Sequence, residues 1–396
     1  MDHRSGSPYR SPKEDGWRRL SPDVAHFLFG YYDRNPWDPS VRRHLALRVP
    51  QCSRLPKVGE TAEVGYLERR TGQFVACAET RAFCHQQGSM QQWLDGNRFI
   101  YNDFESSAGR LVSRVFELGA GIVRTYDRPI YTVSPNRALA VSLNFSRIPR
   151  RGYSYADAPL SDARHPNLDT DGLFVLDLAS GESTLVASYR QIVTRYPMPY
   201  ELEERYWWLN HAQFNVSSTR LQFLFRHADT PDGRWSTTMY TVGADGSQLR
   251  CVLPNQYWSG KISHQLWGRT AAELLVDANW RDRGHEYVVL NDAPDFRAHL
   301  VSEGLGPMGH LVFSPDGRYL LADTYPKEGV QTLALVDAAS GSVEVIGTFA
   351  HSRDDGGIAD TRCDLHPKWS GDGSLISVDS IDSGHRGIYV RVFEPA

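Results

Sequence analysis

His211, His264, His310 and His366 each stand three residues before an aromatic side chain: Phe214, Trp267, Phe313 and Trp369. In the last three copies an aspartate follows the aromatic by ten residues, giving Asp277, Asp323 and Asp379. An imidazole with one nitrogen held by a carboxylate is oriented, and is a better base or metal ligand for it. Cys363 lies three residues before His366. Together His264, His310, His366 and Cys363 form a donor set for a divalent ion of the zinc or manganese kind. The His211 copy departs from the pattern, because its return segment ends Leu224-Phe225-Arg226-His227 and puts a guanidinium where the others put a carboxylate. That planar fork suits bidentate binding of a carboxylate, so Arg226 between His211 and His227 reads as an anion clamp with a base beside it. Asn102, Asn144 and Arg147, from neighbouring units, are candidates to line a polar pocket suited to a sugar, as is His85 just before Met90. The competing reading is that a repeated histidine only hydrogen-bonds the next unit of the fold.

The elements that would position these residues are hairpins. In His310–Asp323, an apolar run, a Ser-Pro-Asp-Gly turn and a second apolar run follow one another, and glycine supplies the positive φ that such a turn needs. Antiparallel pairing then brings His310 and Asp323 to the same rim. The pattern recurs at His366, His264 and His211, more weakly at Met90–Gly96 and Val133–Asn136, and most weakly at Arg34–Ser40. These seven units, roughly 45 to 80 residues apart, have the spacing of propeller blades. The expectation is all-β: a seven-bladed β-propeller of four-stranded antiparallel blades over residues 25–396, preceded by a flexible tail over 1–24, with the N-terminal strand a candidate to complete the last sheet. In that geometry the residue opening each inner strand sits at one mouth of the central channel.

A net charge of −4 argues against a general nucleic-acid binder, and no run of eighteen apolar residues marks a membrane span. The five cysteines are odd in number and scattered, unlike a disulfide framework, and the N-terminal residues lack the apolar stretch of a signal peptide. A cytoplasmic protein is the expectation. Between Ser146 and Asp169 the strand pattern stops in a segment holding Arg147, Arg150, Arg151, Tyr153 and Tyr155, which reads as a long loop leaving one rim.

The stretches His211-Ala-Gln-Phe214, Leu224-Phe-Arg-His227, Ser263-His264-Gln-Leu-Trp267 and His366-Pro-Lys-Trp369-Ser resemble oligogalacturonate lyases, which are seven-bladed propeller polysaccharide lyases, and the wider group of propeller uronate lyases that includes ulvan lyases. Phe29-Gly-Tyr-Tyr-Asp-Arg-Asn-Pro-Trp37, Gln86–Trp93 and Asp323-Thr-Tyr-Pro326 look like an uncharacterised bacterial branch linked with surface-polysaccharide genes. The resemblance implies that His211, Arg226 and His227 lie in the catalytic region, that His264 is a metal ligand, and that the partner is an acidic oligosaccharide. It also implies β-elimination: Arg226 stabilises the uronate carboxylate, a neutral His211 or His227 takes the C5 proton, and Tyr153 or Tyr155 protonates the leaving oxygen. One departure stands out. The family takes closely spaced Gln and His metal ligands from one blade, where this chain offers only Gly309-His310. The alternative class is a non-catalytic propeller that binds a glycan or a protein at the same rim.

Overall fold

Leu311–Phe313 and Tyr319–Asp323 pair antiparallel, with Leu311 opposite Ala322 and Phe313 opposite Leu320. Around the turn the Ser314 hydroxyl bonds Asp316 and accepts from the Tyr319 N–H, while Gly317 takes a φ of 71°. Equivalent hairpins, each extended outward by two more strands, form seven four-stranded sheets in a computed structural model that describes residues 11–149, 153–158, 160–195, 204–253, 264–279, 285–295, 297–301, 309–351 and 361–394. The protein is a seven-bladed β-propeller. Its inner strands are, in blade order, His26–Leu28, Gln92–Trp93, Thr132–Val133, Tyr206–Phe214, Gln265–Trp267, Leu311–Phe313 and Lys368–Trp369. Among the described residues the only α-helix is Tyr189–Arg195, which is too short to cross a membrane.

The core lies between blades. Leu224 and Met239 of blade four pack with Trp267, Val276 and Val288 of blade five, and Leu275 and Val289 of blade five pack with Leu311, Leu320 and Val336 of blade six. Each blade thus buries its faces only against its neighbours, as a toroid of repeats requires.

Two features set the site. First, the ring closes with Arg18–Arg19 pairing to Gly387–Val392 as the outer strand of blade seven. Trp17 beside it is 2 % exposed, donates its indole N–H to the Ile346 carbonyl at 2.8 Å, and packs edge-on against Phe349. The expected tail over residues 1–24 is therefore corrected: residues from Trp17 onward belong to the ring, because the edge of the last blade needs a partner.

Second, the inner strand of blade one is split. His26–Leu28 pairs with one end of Arg43–Val49, and Trp37 bridges to His44 at the other end. The residues between, Phe29–Pro36, leave the sheet and run across the channel. Gly30 permits the departure, since its φ is 120° and a Cβ there would stand 2.6 Å from the Gln87 carbonyl carbon.

Replacing Trp17 by alanine removes a large buried ring and an inter-blade hydrogen bond. The expected loss is about 3–5 kcal/mol in equilibrium urea unfolding. An unchanged midpoint would mean that the ring closes without this segment.

Candidate functional site

The channel-crossing segment carries Tyr31 and Tyr32 into the mouth where inner strands begin. Tyr31 lies 5.1 Å from His211 in a stacked arrangement, 5.5 Å from His310 and 4.9 Å from His366, measured between ring centroids. Tyr32 lies 4.8 Å from His310 and 5.8 Å from His264. The histidines touch in sequence around the ring: His264 to His310 at 4.2 Å and His310 to His366 at 4.3 Å. All four are withdrawn from water, with exposures of 3 % for His211, 8 % for His264, 2 % for His310 and 0 % for His366. Tyr153, 5.9 Å from His211, and Tyr325, 6.0 Å from His310, form a half-buried outer layer.

Backbone irregularity aims two of these rings. His211 has a φ of 52° and sits where the pairing of Tyr206–Phe214 with Arg220–Ala228 slips, between Asn210 and Gln213. A bulge at such a point re-aims the side chain. His366 has a φ of 44°, also in the left-handed region that non-glycine residues seldom occupy. Its backbone is held from both ends: its N–H donates to Asp323 at 3.1 Å, and its carbonyl accepts from the Lys368 ammonium at 2.6 Å.

Hydrogen bonding assigns different chemistry to each ring. Asp323 holds His310 through Nδ1 at 3.0 Å, which leaves Nε2 for a ligand. Tyr325 Oη meets His264 Nε2 at 3.3 Å, and Tyr131 Oη meets His211 Nδ1 at 3.2 Å. Among the described residues neither ring nitrogen of His366 has a hydrogen-bond partner. Burial, first of all, holds His211, His264 and His366 well below the usual imidazole range, and the neighbouring charges of Arg226 on His211 and His264 and of Lys368 on His366 push the same way. These three rings are neutral at physiological pH, with lone pairs available.

His310, His366 and Asp364 each offer a ligand atom, and these atoms lie within 4.8 Å of one another. The set suits a divalent cation. Imidazoles and a carboxylate are the right donors, and a cation would satisfy buried ring nitrogens that otherwise cost about 1–3 kcal/mol each. Arg362 grips the same Asp364 with two hydrogen bonds and lies over the Tyr325 ring at 4.6 Å.

Other anticipated residues fall elsewhere. The charge of Arg226 acts on both His211 and His264, and its guanidinium lies 5.4 Å from the Trp235 ring. His227, the next residue of the same strand, points to the opposite face, where Arg205 and Asp229 act on it. Burial brings it to about 4. A clamp of Arg226 between two histidines therefore does not form.

Cys363 is outside the ligand cluster. Its thiol contacts the Asp364 carbonyl, shares surroundings with Arg386, Asp379 and Cys52, and is pushed up to about 12 by burial. Asp379 does not hold His366. It pairs with Arg386 at 3.0 Å and Lys368 at 3.7 Å and accepts the Phe29 N–H at 3.2 Å.

The expected sugar-pocket residues are structural. Asn102 is spent on Ile130 and on Tyr155 Oη, tying blade two to blade three. Arg147 is buried and donates to the carbonyls of Trp207, Ala163 and Arg164. Asn144 caps the short turn Phe145–Arg147 and donates to Asp171. His85 is buried against the Gln51 carbonyl at 3.0 Å. Tyr155 stacks on Phe145 in the core and is unavailable as an acid, whereas Tyr153 borders the cluster. Arg150, Arg151 and Ser263 lie outside the described residues. Tyr31, Tyr32, Tyr325 and Asp364 are not anticipated as site residues from the sequence; the aromatic run at Tyr31-Tyr32 beside a glycine and the Asp323-Thr-Tyr-Pro326 motif are the signals that touch three of them.

No protein-family model matches this chain, and no curated protein sequence matches it. Among solved structures it is similar to an oligogalacturonate lyase in complex with manganese, with a TM-score of 0.65 and 14% identity over 96% of this chain and 93% of that one. It is similar to the oligogalacturonate lyase of Vibrio parahaemolyticus, at a TM-score of 0.62 and 15% identity over 96% and 93%. The tricorn protease also matches, at a TM-score of 0.53 and 11% identity over 93% of this chain and 34% of that one. At these identities the likeness is one of fold.

Burial lowers Lys368 to about 8. Between that value and the ordinary lysine value the unfolded chain binds a proton that the folded chain lacks, so stability rises with pH through this window and the penalty is constant below it. Relative to Lys368→Met, the wild type should gain on the order of 3 kcal/mol between about pH 8 and 10.5, read by chemical unfolding at stepped pH. Parallel curves for the two proteins would contradict a buried, depressed lysine.

Proposed function

We propose that this protein is a polysaccharide lyase that cleaves uronic-acid-containing glycans by β-elimination, with an acidic oligosaccharide as substrate and a divalent ion at His310, His366 and Asp364. The observation that carries the reading is the meeting of buried imidazoles at a single channel mouth, with the charge of the Arg226 guanidinium acting on two of them. The fold likeness to a manganese-bound oligogalacturonate lyase supports it. A divalent ion bound there supplies Lewis-acid stabilisation of a carboxylate. A cytoplasmic site of action, expected from the sequence, is part of the same proposal.

Arg226 would receive the uronate carboxylate as negative charge spreads from C5. His211 is the base. Its basicity is held down partly by Arg226, and pairing Arg226 with the substrate carboxylate offsets that charge and raises the ring's affinity for the C5 proton. The C4–O4 bond then breaks, C4 and C5 become doubly bonded, and Tyr153 at the border of the cluster gives its proton to the departing oxygen. The second reading, a glycan-binding propeller without turnover, is favoured by one observation: Tyr31 covers His211 face-on.

Metal analysis of the purified protein, with an ultraviolet screen for unsaturated products from uronate glycans, separates the two. The lyase reading expects bound manganese or zinc and product formation; glycan binding without product supports the second. Arg226→Lys keeps the charge but loses the fork, and turnover should fall by about 100-fold or more at unchanged stability. Survival of turnover removes Arg226 from the chemistry. Asp323→Asn releases His310, and metal affinity should drop about 10- to 100-fold in a competitive chelator titration. An unaltered affinity would place the ion elsewhere.

A further inference from the structure

The opposite mouth of the channel, where the inner strands end, holds a cavity of about 490 Å³. Its floor is made by the two residues that follow the tyrosines, Asp33 and Arg34, whose side chains are 0 % and 2 % exposed. Arg34 donates to the Gln87 carbonyl at 3.1 Å and pairs with Asp33 at 3.1 Å, and its buried Nε has no hydrogen-bond partner. Arg137 and Arg269 stand on the rim. The Arg137 side chain has no ion-pair or hydrogen-bond partner among the described residues, and its backbone is held in the left-handed region at a φ of 61°. Arg269 lies 5.9 Å from the Phe313 ring and only 3.7 Å from its nearest carboxylate, Glu273.

The cavity wall thus sets three guanidinium groups against two carboxylates, Asp33 and Asp316. Asp316 is turned into its own hairpin, bonded to the Ser314 hydroxyl and the Arg318 N–H, and Asp33 is shared between Arg34 and Gln213. On the rim, Arg137 faces this concave space without a partner among the described residues, Arg269 shares its charge with Glu273, and the half-buried Phe313 forms part of the side. Strand ends and tight turns carry these groups, so they are fixed in place before a ligand arrives, which limits the ordering cost of binding.

We infer that this second mouth is a binding site for a small ring-bearing oxyanion, of the size of a monosaccharide that carries a carboxylate or a phosphate. The volume is in the range of small-ligand sites, the half-buried Phe313 ring offers an apolar surface to a ring, and the arginine forks match an oxyanion. The site is separated from the histidine cluster by the tyrosine-bearing segment, and the inference stands whether or not the protein is a lyase.

Titration calorimetry of the full chain with D-glucuronate, D-glucose 6-phosphate and D-glucose tests it. At least one acidic sugar should bind and glucose should not. Arg137→Glu combined with Arg269→Glu, both at exposed positions, should weaken that binding by about tenfold or more. Preference between glucuronate and the phosphate identifies which oxyanion the forks accept. The inference is overturned if neither acidic sugar binds, if glucose binds equally well, or if binding survives the double substitution.

Discussion

Several imidazoles withdrawn from water into one channel mouth can coexist only while most of them are uncharged. Burial penalises the protonated form, and each ring that did ionise would raise the penalty on its neighbours. His211, His264 and His366 all follow this rule. Neutrality turns a crowded set of side chains into a set of lone pairs. It leaves the ring nitrogens of His366 buried and without a hydrogen bond among the described residues, a state that a folded protein seldom keeps without a purpose.

The crowding itself comes from blade one. A regular inner strand there would leave an open channel, with the histidines lining its wall in contact with solvent. Because Phe29–Pro36 leaves the sheet at Gly30 and rejoins it at Trp37, two tyrosines are delivered among the rings and a buried Asp33–Arg34 pair is delivered below them. Asp379 ties the start of this crossing to blade seven by accepting the Phe29 N–H, and Lys368, beside Asp379, holds the carbonyl of His366. Closure of the ring, placement of the crossing segment and the strained backbone of His366 are thus one connected arrangement.

The blades were legible because each hairpin repeats apolar runs around a glycine turn, and the recurrence of histidine at one place in that repeat located the mouth. Asp323 was legible for the same reason. What escaped were residues outside the repeat. Tyr31 and Tyr32 belong to a segment that occurs once, and Asp364 stands beside the more conspicuous Cys363 in a stretch with no periodicity. The residues expected in a sugar pocket that instead bond within the fold share a physical cause. Asn102, Arg147 and His85 are polar groups that bind backbone carbonyls between elements, and a buried structural anchor has the same sequence appearance as a ligand-binding side chain. Strand alternation could have separated Arg226 from His227, since adjacent residues of a strand cannot both face one site.

Anomalous diffraction from a crystal of the protein equilibrated with manganese is the most direct measurement of the claim that these buried rings form a cation site. The expected result is a single strong peak within ligand-bond distance, about 2.0–2.3 Å, of His310, His366 and Asp364, with Tyr31 and Tyr32 beside it. A map with no peak among these side chains, or with ordered water bridging the nitrogens of His366 under saturating manganese, would contradict it.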